Sequence, residues 1–223
     1  MKKINVFISD DHTIFREGLR VLLEASEDIN VVGEAENGHR AVGETKRLQP
    51  DVVVMDFDMP LLNGVEATRR IAKEVPAAKV LMLSCYSDDH HVQQAVEAGV
   101  AGYLTKASAA NDLLEAIREA FKGNSFFSPL IARRLANQWR NHNLQSRSKA
   151  APALTSRQTE VLQFIAGGCS NKQMARALLL SIKTVEKHRQ LLMDKLDIHE
   201  IAGLTRYAIA EGIIESRTRL TTA

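Results

Sequence analysis

Asp10 and Asp11, Asp56, Ser84 and Lys106 each follow a short apolar run, and together they supply the groups that hold a divalent cation and accept a phosphoryl group. Clustered carboxylates repel one another unless a cation lies among them or some are protonated. Mg²⁺ is the natural occupant, a hard cation that takes oxygen ligands and is usually held by one or two carboxylates plus phosphate oxygens. One carboxylate of such a set can attack phosphorus in line, while an ammonium neutralises the equatorial oxygens and a hydroxyl donates to one of them. Each group has a plainer reading alone. Asp10-Asp11 could cap a helix starting near His12, Lys106 could be a solvated lysine opening a helix, and Ser84 could be an ordinary strand-end serine. The functional reading rests on all of them standing at matching strand ends.

Such convergence needs a particular scaffold. Lys3–Ser9 and Asp51–Met55 are β-branched, apolar runs of the kind buried on both faces of a parallel sheet. Helix-period stretches such as Ile14–Leu23 lie between the strands, and alternation of strand and helix predicts right-handed crossovers in a doubly wound sheet. The expected fold is therefore α/β, a five-stranded parallel sheet in the flavodoxin-like order, followed by a small all-α domain. In that order the first and third strands are neighbours at the switch point, where ligands bind beyond the carboxyl ends. Asp10, Asp11 and Asp56 would meet there.

Ser9-Asp10-Asp11-His12, Met55–Pro60 with Asn63-Gly64, Leu83-Ser84 and Gly102–Lys106 resemble the signatures of a CheY-like receiver domain, over residues 1–122. The resemblance implies that Asp56 is the phosphoacceptor and that Asp10, Asp11, Asp56 and the backbone carbonyl of Asp58 hold Mg²⁺. It also implies that Lys106 is a point charge for phosphate, that Ser84 donates to a phosphoryl oxygen, and that Tyr103 is an aromatic switch turning inward as the serine moves. A half-buried strand tyrosine is the plainer reading of Tyr103, though a side chain with an apolar body and a polar tip suits the switch. Asp58, two residues past Asp56, is expected to tune phosphoryl lifetime or metal affinity, and Tyr86, two past Ser84, to tune that lifetime or to be an exposed loop tyrosine; an Asp58→Asn variant with unchanged dephosphorylation and Mg²⁺ dependence would sink that idea for Asp58.

The formal charge of +2 conceals two unlike halves. Residues 1–123 carry 14 Lys and Arg against 20 Asp and Glu, a net of −6, and the remainder carries 15 against 7, a net of +8. A basic second half is the asymmetry expected of nucleic-acid contact. Between the halves, Gly123–Pro129 reads as a helix stop and a new start, with Ser128 as N-cap and Pro129 at the first helical position. The expected linker is 123–152: one helix from Leu130 to Trp139, then a polar, basic tether over Asn141–Pro152.

From Leu154 the pattern changes to four short helices: one opening at Leu154-Thr155 and stopping at Gly167-Gly168, then Lys172–Leu179, Ile182–Leu196 and Ile201–Ala210. The middle pair, the second rich in Lys, Thr, His and Arg, reads as a helix-turn-helix. Leu154-Thr155 with Arg157 and Glu160–Leu162, Ser170–Lys172 with Met174-Ala175, and Thr184–Arg189 with Lys195-Leu196 resemble the LuxR-type DNA-binding domain, placed at 153–215 before a tail at 216–223. Joined to a receiver, this resembles the NarL/FixJ type of two-component response regulator. By helical spacing Val185, Leu192 and Leu196 should be core, leaving Lys183, Thr184, Lys187, His188, Arg189 and Gln190 for DNA, cations on phosphates and groove-facing groups on base edges. Several family members carry lysine where this chain has Glu186, which favours Lys183 and Lys187 for phosphate contact. For any single residue a solvated helix face is the alternative.

The implied function is a transcriptional regulator that takes phosphoryl on Asp56 from a sensor histidine kinase, then leaves a closed form and binds promoter DNA as a homodimer. Pairing is expected because paired half-sites one helical turn apart are the usual solution for a small helix-turn-helix, with Ile201–Ala210 as the pairing helix or, alternatively, as core. Two rivals stand beside it. Haloacid-type phosphatases also use an aspartate nucleophile with Mg²⁺ and need a second aspartate two residues on, which Asp56-Phe57-Asp58 formally offers; the basic helical module and Lys106 weigh against an enzyme. The other rival is a regulator that binds DNA constitutively. Cys85 and Cys169 form no metal or disulfide pattern, no apolar run approaches the ~18 residues of a membrane span, and the chain begins with a strand, so a cytoplasmic setting with reduced thiols is expected.

Overall fold

The computed structural model describes residues 3–142 and 154–214, which fall into two compact units, 1–148 and 149–223. The tail at 216–223 and tether residues 143–152 lie outside the described residues.

The first unit runs β1 (Ile4–Ser9), α1 (Thr13–Glu24), β2 (Ile29–Ala35), α2 (Gly38–Leu48), β3 (Val52–Asp56), α3 (Gly64–Glu74), β4 (Lys79–Ser84), α4 (Asp89–Ala98), β5 (Gly102–Thr105), α5 (Ala109–Phe121), β6 (Phe126–Phe127) and α6 (Pro129–His142). The sheet order is β2-β1-β3-β4-β5-β6 and every pairing is parallel. The strands are apolar on both faces because helices cover both. Phe7, Val53, Met55, Met82 and Tyr103 pack against α2, α3 and α4 through Ala41, Ile71 and Val92. Val6, Ile8, Val52, Val54, Leu81 and Leu104 face α1 and α5, meeting Leu19, Leu23, Leu113 and Ile117. Side chains that alternate across each strand therefore serve two separate cores.

Polar caps start several of these helices. Asn37, Asn63 and Asp88 accept the N3 backbone N–H of α2, α3 and α4. Gly64 has a steric reason: a Cβ there would lie 1.9 Å from the carbonyl oxygen of Asp56, so only glycine lets α3 begin against the end of β3.

One element enlarges the expected sheet. Phe126-Phe127 adds a sixth strand beside β5, with Gly102 opposite Phe126 and Tyr103 opposite Phe127. The segment read as linker thus packs on the first unit through residues 126–135. Ile131 is completely buried, Leu135 and Phe127 pack on the same core, and Arg134 Nη1 lies 3.3 Å from Asp89 Oδ1 at the start of α4. A two-residue strand has too few positions to show a period.

The second unit holds α7 (Ser156–Ala166), α8 (Asn171–Ala177), α9 (Ile182–Leu196) and α10 (Ile201–Ala210) around Val161, Leu162, Phe164, Met174, Val185, Leu192, Leu204 and Ala208. Thr155 and Ser170 form capping boxes with Gln158 and Gln173, and Ser181 caps α9. Helix α8 ends earlier than the expected Leu179. Leu178 is its C-cap and Leu179 takes φ 54°, left-handed backbone that a run of leucines gives no sign of.

Candidate phosphoacceptor pocket and nucleic-acid interface

Beyond the carboxyl ends of β1, β3 and β5 the expected groups meet. Lys106 Nζ lies 2.7 Å from Asp10 Oδ2 and 3.0 Å from Asp56 Oδ2. Both carboxylates are buried, while Asp11 is partly exposed. Ligand atoms of Asp10, Asp11, His12 and Asp56 all lie within 4.8 Å of one another. His12 Nδ1 sits 2.8 Å from Asp11 Oδ1, and the Lys106 ammonium rests 4.7 Å from the centroid of the Phe15 ring. Burial, then the charge of Asp10, pushes the Asp56 carboxyl up to about 7. Burial pulls the Lys106 ammonium down, but Asp56 and Asp10 outweigh it and hold the group above its ordinary value. One lysine therefore does not offset the burial of Asp56 beside Asp10. The all-oxygen donor set of Asp10, Asp11 and Asp56 fits a hard divalent cation, and the imidazole of His12 lies at its border.

The wall on the β4 side is built around Tyr86. Ser84, fully buried, accepts a hydrogen bond at Oγ from the Tyr86 backbone N–H at 3.0 Å. Tyr103, also fully buried, donates its hydroxyl to the Tyr86 carbonyl at 2.9 Å. Its ring thus lies inward, and burial pushes the phenol far above its ordinary value. The Tyr86 ring stacks on His91, and Phe57, next to Asp56, meets both rings edge-on.

In the second unit, α9 carries the residues expected at DNA. Lys183, Glu186, Lys187 and Gln190 are exposed, and Thr184, His188 and Arg189 are half-buried. The Thr184 hydroxyl is engaged with Ser181 at 2.8 Å, and the Gln190 amide donates to Asp194 at 2.7 Å, so either contact must be exchanged for one to a base. Val185 and Leu192 are fully buried and Leu196 packs beside them. Helix α9 is seated on a frame joined by a partly buried ion pair: Arg157 Nη1 donates to Glu160, which is inaccessible, at 2.7 Å, and Arg157 Nη2 donates to the Leu178 carbonyl at 3.4 Å.

Residues 6–118 match the family described as the response regulator receiver domain, and residues 152–208 match the luxR family of bacterial regulatory proteins. The response regulator protein VraR of Staphylococcus aureus is 35% identical over 212 residues, spanning 95% of this chain and 99% of that one. The chain is a response regulator. Among solved structures, RcsB of Salmonella typhimurium is similar to this regulator with TM-score 0.57 and 26% identity, over 94% of this chain and 100% of that one; other RcsB structures include complexes with DNA. A LuxR-family two-component response regulator from Aurantimonas is similar with TM-score 0.60 and 35% identity, over 62% of this chain and 99% of that one.

The regulator's pocket brings together Asp10, Asp11, Asp56 and Lys106, with Ser84 and Tyr103 joined through Tyr86. Asp58 stands in the loop between β3 and α3. His91 is the residue that sequence reading underestimated. With His90 it reads as a solvated helix start, yet its side chain is 17% exposed and stacked. The available signal was the spacing of Asp88 and His91, a cap and its N3 residue.

Proposed function

We propose that this response regulator takes a phosphoryl group on Asp56 from a sensor histidine kinase and thereby gains affinity for promoter DNA as a dimer. The observation that carries the reading is the placement of Asp56 with Lys106 and Asp10 at the switch point of the sheet. An Asp56 oxygen attacks phosphorus as the phosphorus–nitrogen bond of the kinase's phosphohistidine breaks, leaving an acyl phosphate here and an imidazole there whose freed nitrogen takes up a proton from solvent. Lys106 balances charge on the phosphoryl oxygens and Ser84 turns its hydroxyl toward one of them. Asp10, Asp11 and Asp56, with the carbonyl of Asp58, would hold Mg²⁺, which when bound neutralises both the carboxylates and the incoming phosphoryl charge. The basic face of α9 supplies Lys183 and Lys187 to phosphates, with Thr184, His188, Arg189 and Gln190 toward the groove.

Phosphorylation acts by biasing an equilibrium, and a full reversal from mostly inactive to mostly active takes about 5.5 kcal/mol of preference. RcsB–DNA complexes containing dimers support the paired form for this chain too. The test is selection of genomic DNA fragments by the purified protein in Mg²⁺, with and without beryllofluoride as the phosphoryl stand-in. A shared repeat enriched only with beryllofluoride, and lost in Asp56→Ala, is the expected result. Equal enrichment in all arms would refute phosphorylation control and favour constitutive binding, and turnover of phosphate esters would favour the phosphatase.

A further inference from the structure

His91 is bound on three sides. Asp88 caps α4, accepting the His91 backbone N–H at 3.2 Å, and its other oxygen lies 2.6 Å from His91 Nδ1. A carboxylate only accepts, so Nδ1 carries the proton and the ring plane is fixed by that bond. The Tyr86 ring lies on this plane, with centroids 4.2 Å apart and 8° between planes, and Phe57 closes the edge of the imidazole at 5.0 Å and 67°. A helix cap alone would leave the imidazole in any rotamer; here Asp88 selects the one that presents its face to Tyr86.

Tyr86 hydrogen-bonds both switch residues, through its N–H to Ser84 and its carbonyl to Tyr103. Holding its ring therefore holds the acceptor that keeps the Tyr103 hydroxyl inward. We propose that His91, oriented by Asp88, is a positioning residue for phosphoryl capture: its stack on Tyr86 keeps Ser84 and Tyr103 arranged to receive the group on Asp56. The inference rests on Asp56 being the phosphoacceptor. Because the clamp stabilises the arrangement that the phosphoryl group needs, it adds to the affinity for that group and not to the affinity for the cation, whose carboxylates stand on β1 and β3.

The test titrates the full-length protein with beryllofluoride at saturating Mg²⁺, following the bound species by fluorine NMR, and separately measures Mg²⁺ binding by calorimetry. His91→Ala should weaken beryllofluoride binding roughly two- to tenfold, the factor equivalent to one aromatic stack, with Mg²⁺ binding unchanged. His91→Phe, which keeps a face for Tyr86, should bind close to wild type, and Asp88→Asn should fall between. A His91→Ala protein that binds beryllofluoride like wild type overturns the clamp, as does a His91→Phe protein as weak as His91→Ala. A matching loss of Mg²⁺ affinity would assign His91 to general support of α4 and overturn it equally. Wild type lacking any signal that Asp56→Asn removes would instead bring down the phosphoacceptor reading beneath it.

Discussion

Replacing Ile131 by alanine should detach one piece of the first unit without unfolding the rest. Ile131 is the only fully buried apolar side chain of α6 among the described residues, and it enters the core shared by Tyr103, Val92 and Ala95. The remaining anchors of β6 and α6 are weaker. Ser128 N–H donates to the Tyr103 carbonyl at 3.1 Å, Phe126 N–H donates to the Ala101 carbonyl at 3.1 Å, and Arg134 pairs with Asp89 at an exposed site, where an ion pair contributes at most about 1 kcal/mol. Truncating a buried isoleucine costs about 2–5 kcal/mol when the cavity persists. A short terminal segment can open locally, so this cost falls on its own docking equilibrium more than on the global one. At 1.4 kcal/mol per factor of ten, a loss of 2 kcal/mol is about a thirtyfold loss of protection. Hydrogen exchange read by mass spectrometry should show at least that loss for peptides spanning 126–136, with β1, β3 and β4 unchanged. An equal loss across all strands would mean that α6 is integral to the cooperative core, and unchanged protection at 126–136 would mean that Ile131 does not anchor it.

Gly64→Ala should destabilise the first unit by several kcal/mol and cut labelling of Asp56 by acetyl phosphate, since its Cβ would lie 1.9 Å from the Asp56 carbonyl oxygen; a variant with wild-type melting and labelling would refute the close approach. Leu179, 92% exposed at φ 54°, should be improved by Asn or Gly, raising the stability of the second unit by up to about 1 kcal/mol in a urea titration with DNA binding retained; a lower midpoint would refute the strain. A carboxyl raised to about 7 from 3.8 makes the folded state bind more protons than the unfolded one over that window. Metal-free protein should therefore lose stability as pH rises from about 4 to about 7, and Asp56→Asn should flatten the slope; a wild-type profile matching that of Asp56→Asn would contradict the burial of an ionisable Asp56.

The pocket was legible because each of its groups is tied to a strand end, and apolar β-branched runs mark strand ends to within a residue. Ile4–Ser9 and Val52–Asp56 place Asp10 and Asp56 whichever way the helices pack. The caps Thr155, Ser170 and Ser181 were legible for the same local reason, since the hydroxyl reaches an N–H three residues on. Contacts that depend on two distant segments were not. Nothing in Phe126-Phe127 announces a partner in Gly102-Tyr103, and nothing near His91 announces the ring of Phe57. Leu179 was missed differently: a left-handed residue is visible to sequence reading only when it is glycine or asparagine, and leucine conceals it.

Tyr103 joins what was legible to what was not. Its hydroxyl donates to Tyr86, its carbonyl accepts from Ser128, and its strand position faces Phe127. The ring occupies the core entered by Ile131. Interiors packed at crystal-like density do not deform continuously, so a large movement of this ring must be matched by one of its neighbours. Those neighbours lead in two directions that meet again on α4: through Tyr86 to His91 and Asp88, and through Ser128 and Ile131 to Arg134, which reaches Asp89. Asp88 and Asp89 are consecutive, one capping α4 and the other opening it. The first turn of α4 is thus held from the side of Tyr86 and from β6 and α6, and a change in Tyr103 cannot be absorbed on one side without loading the other.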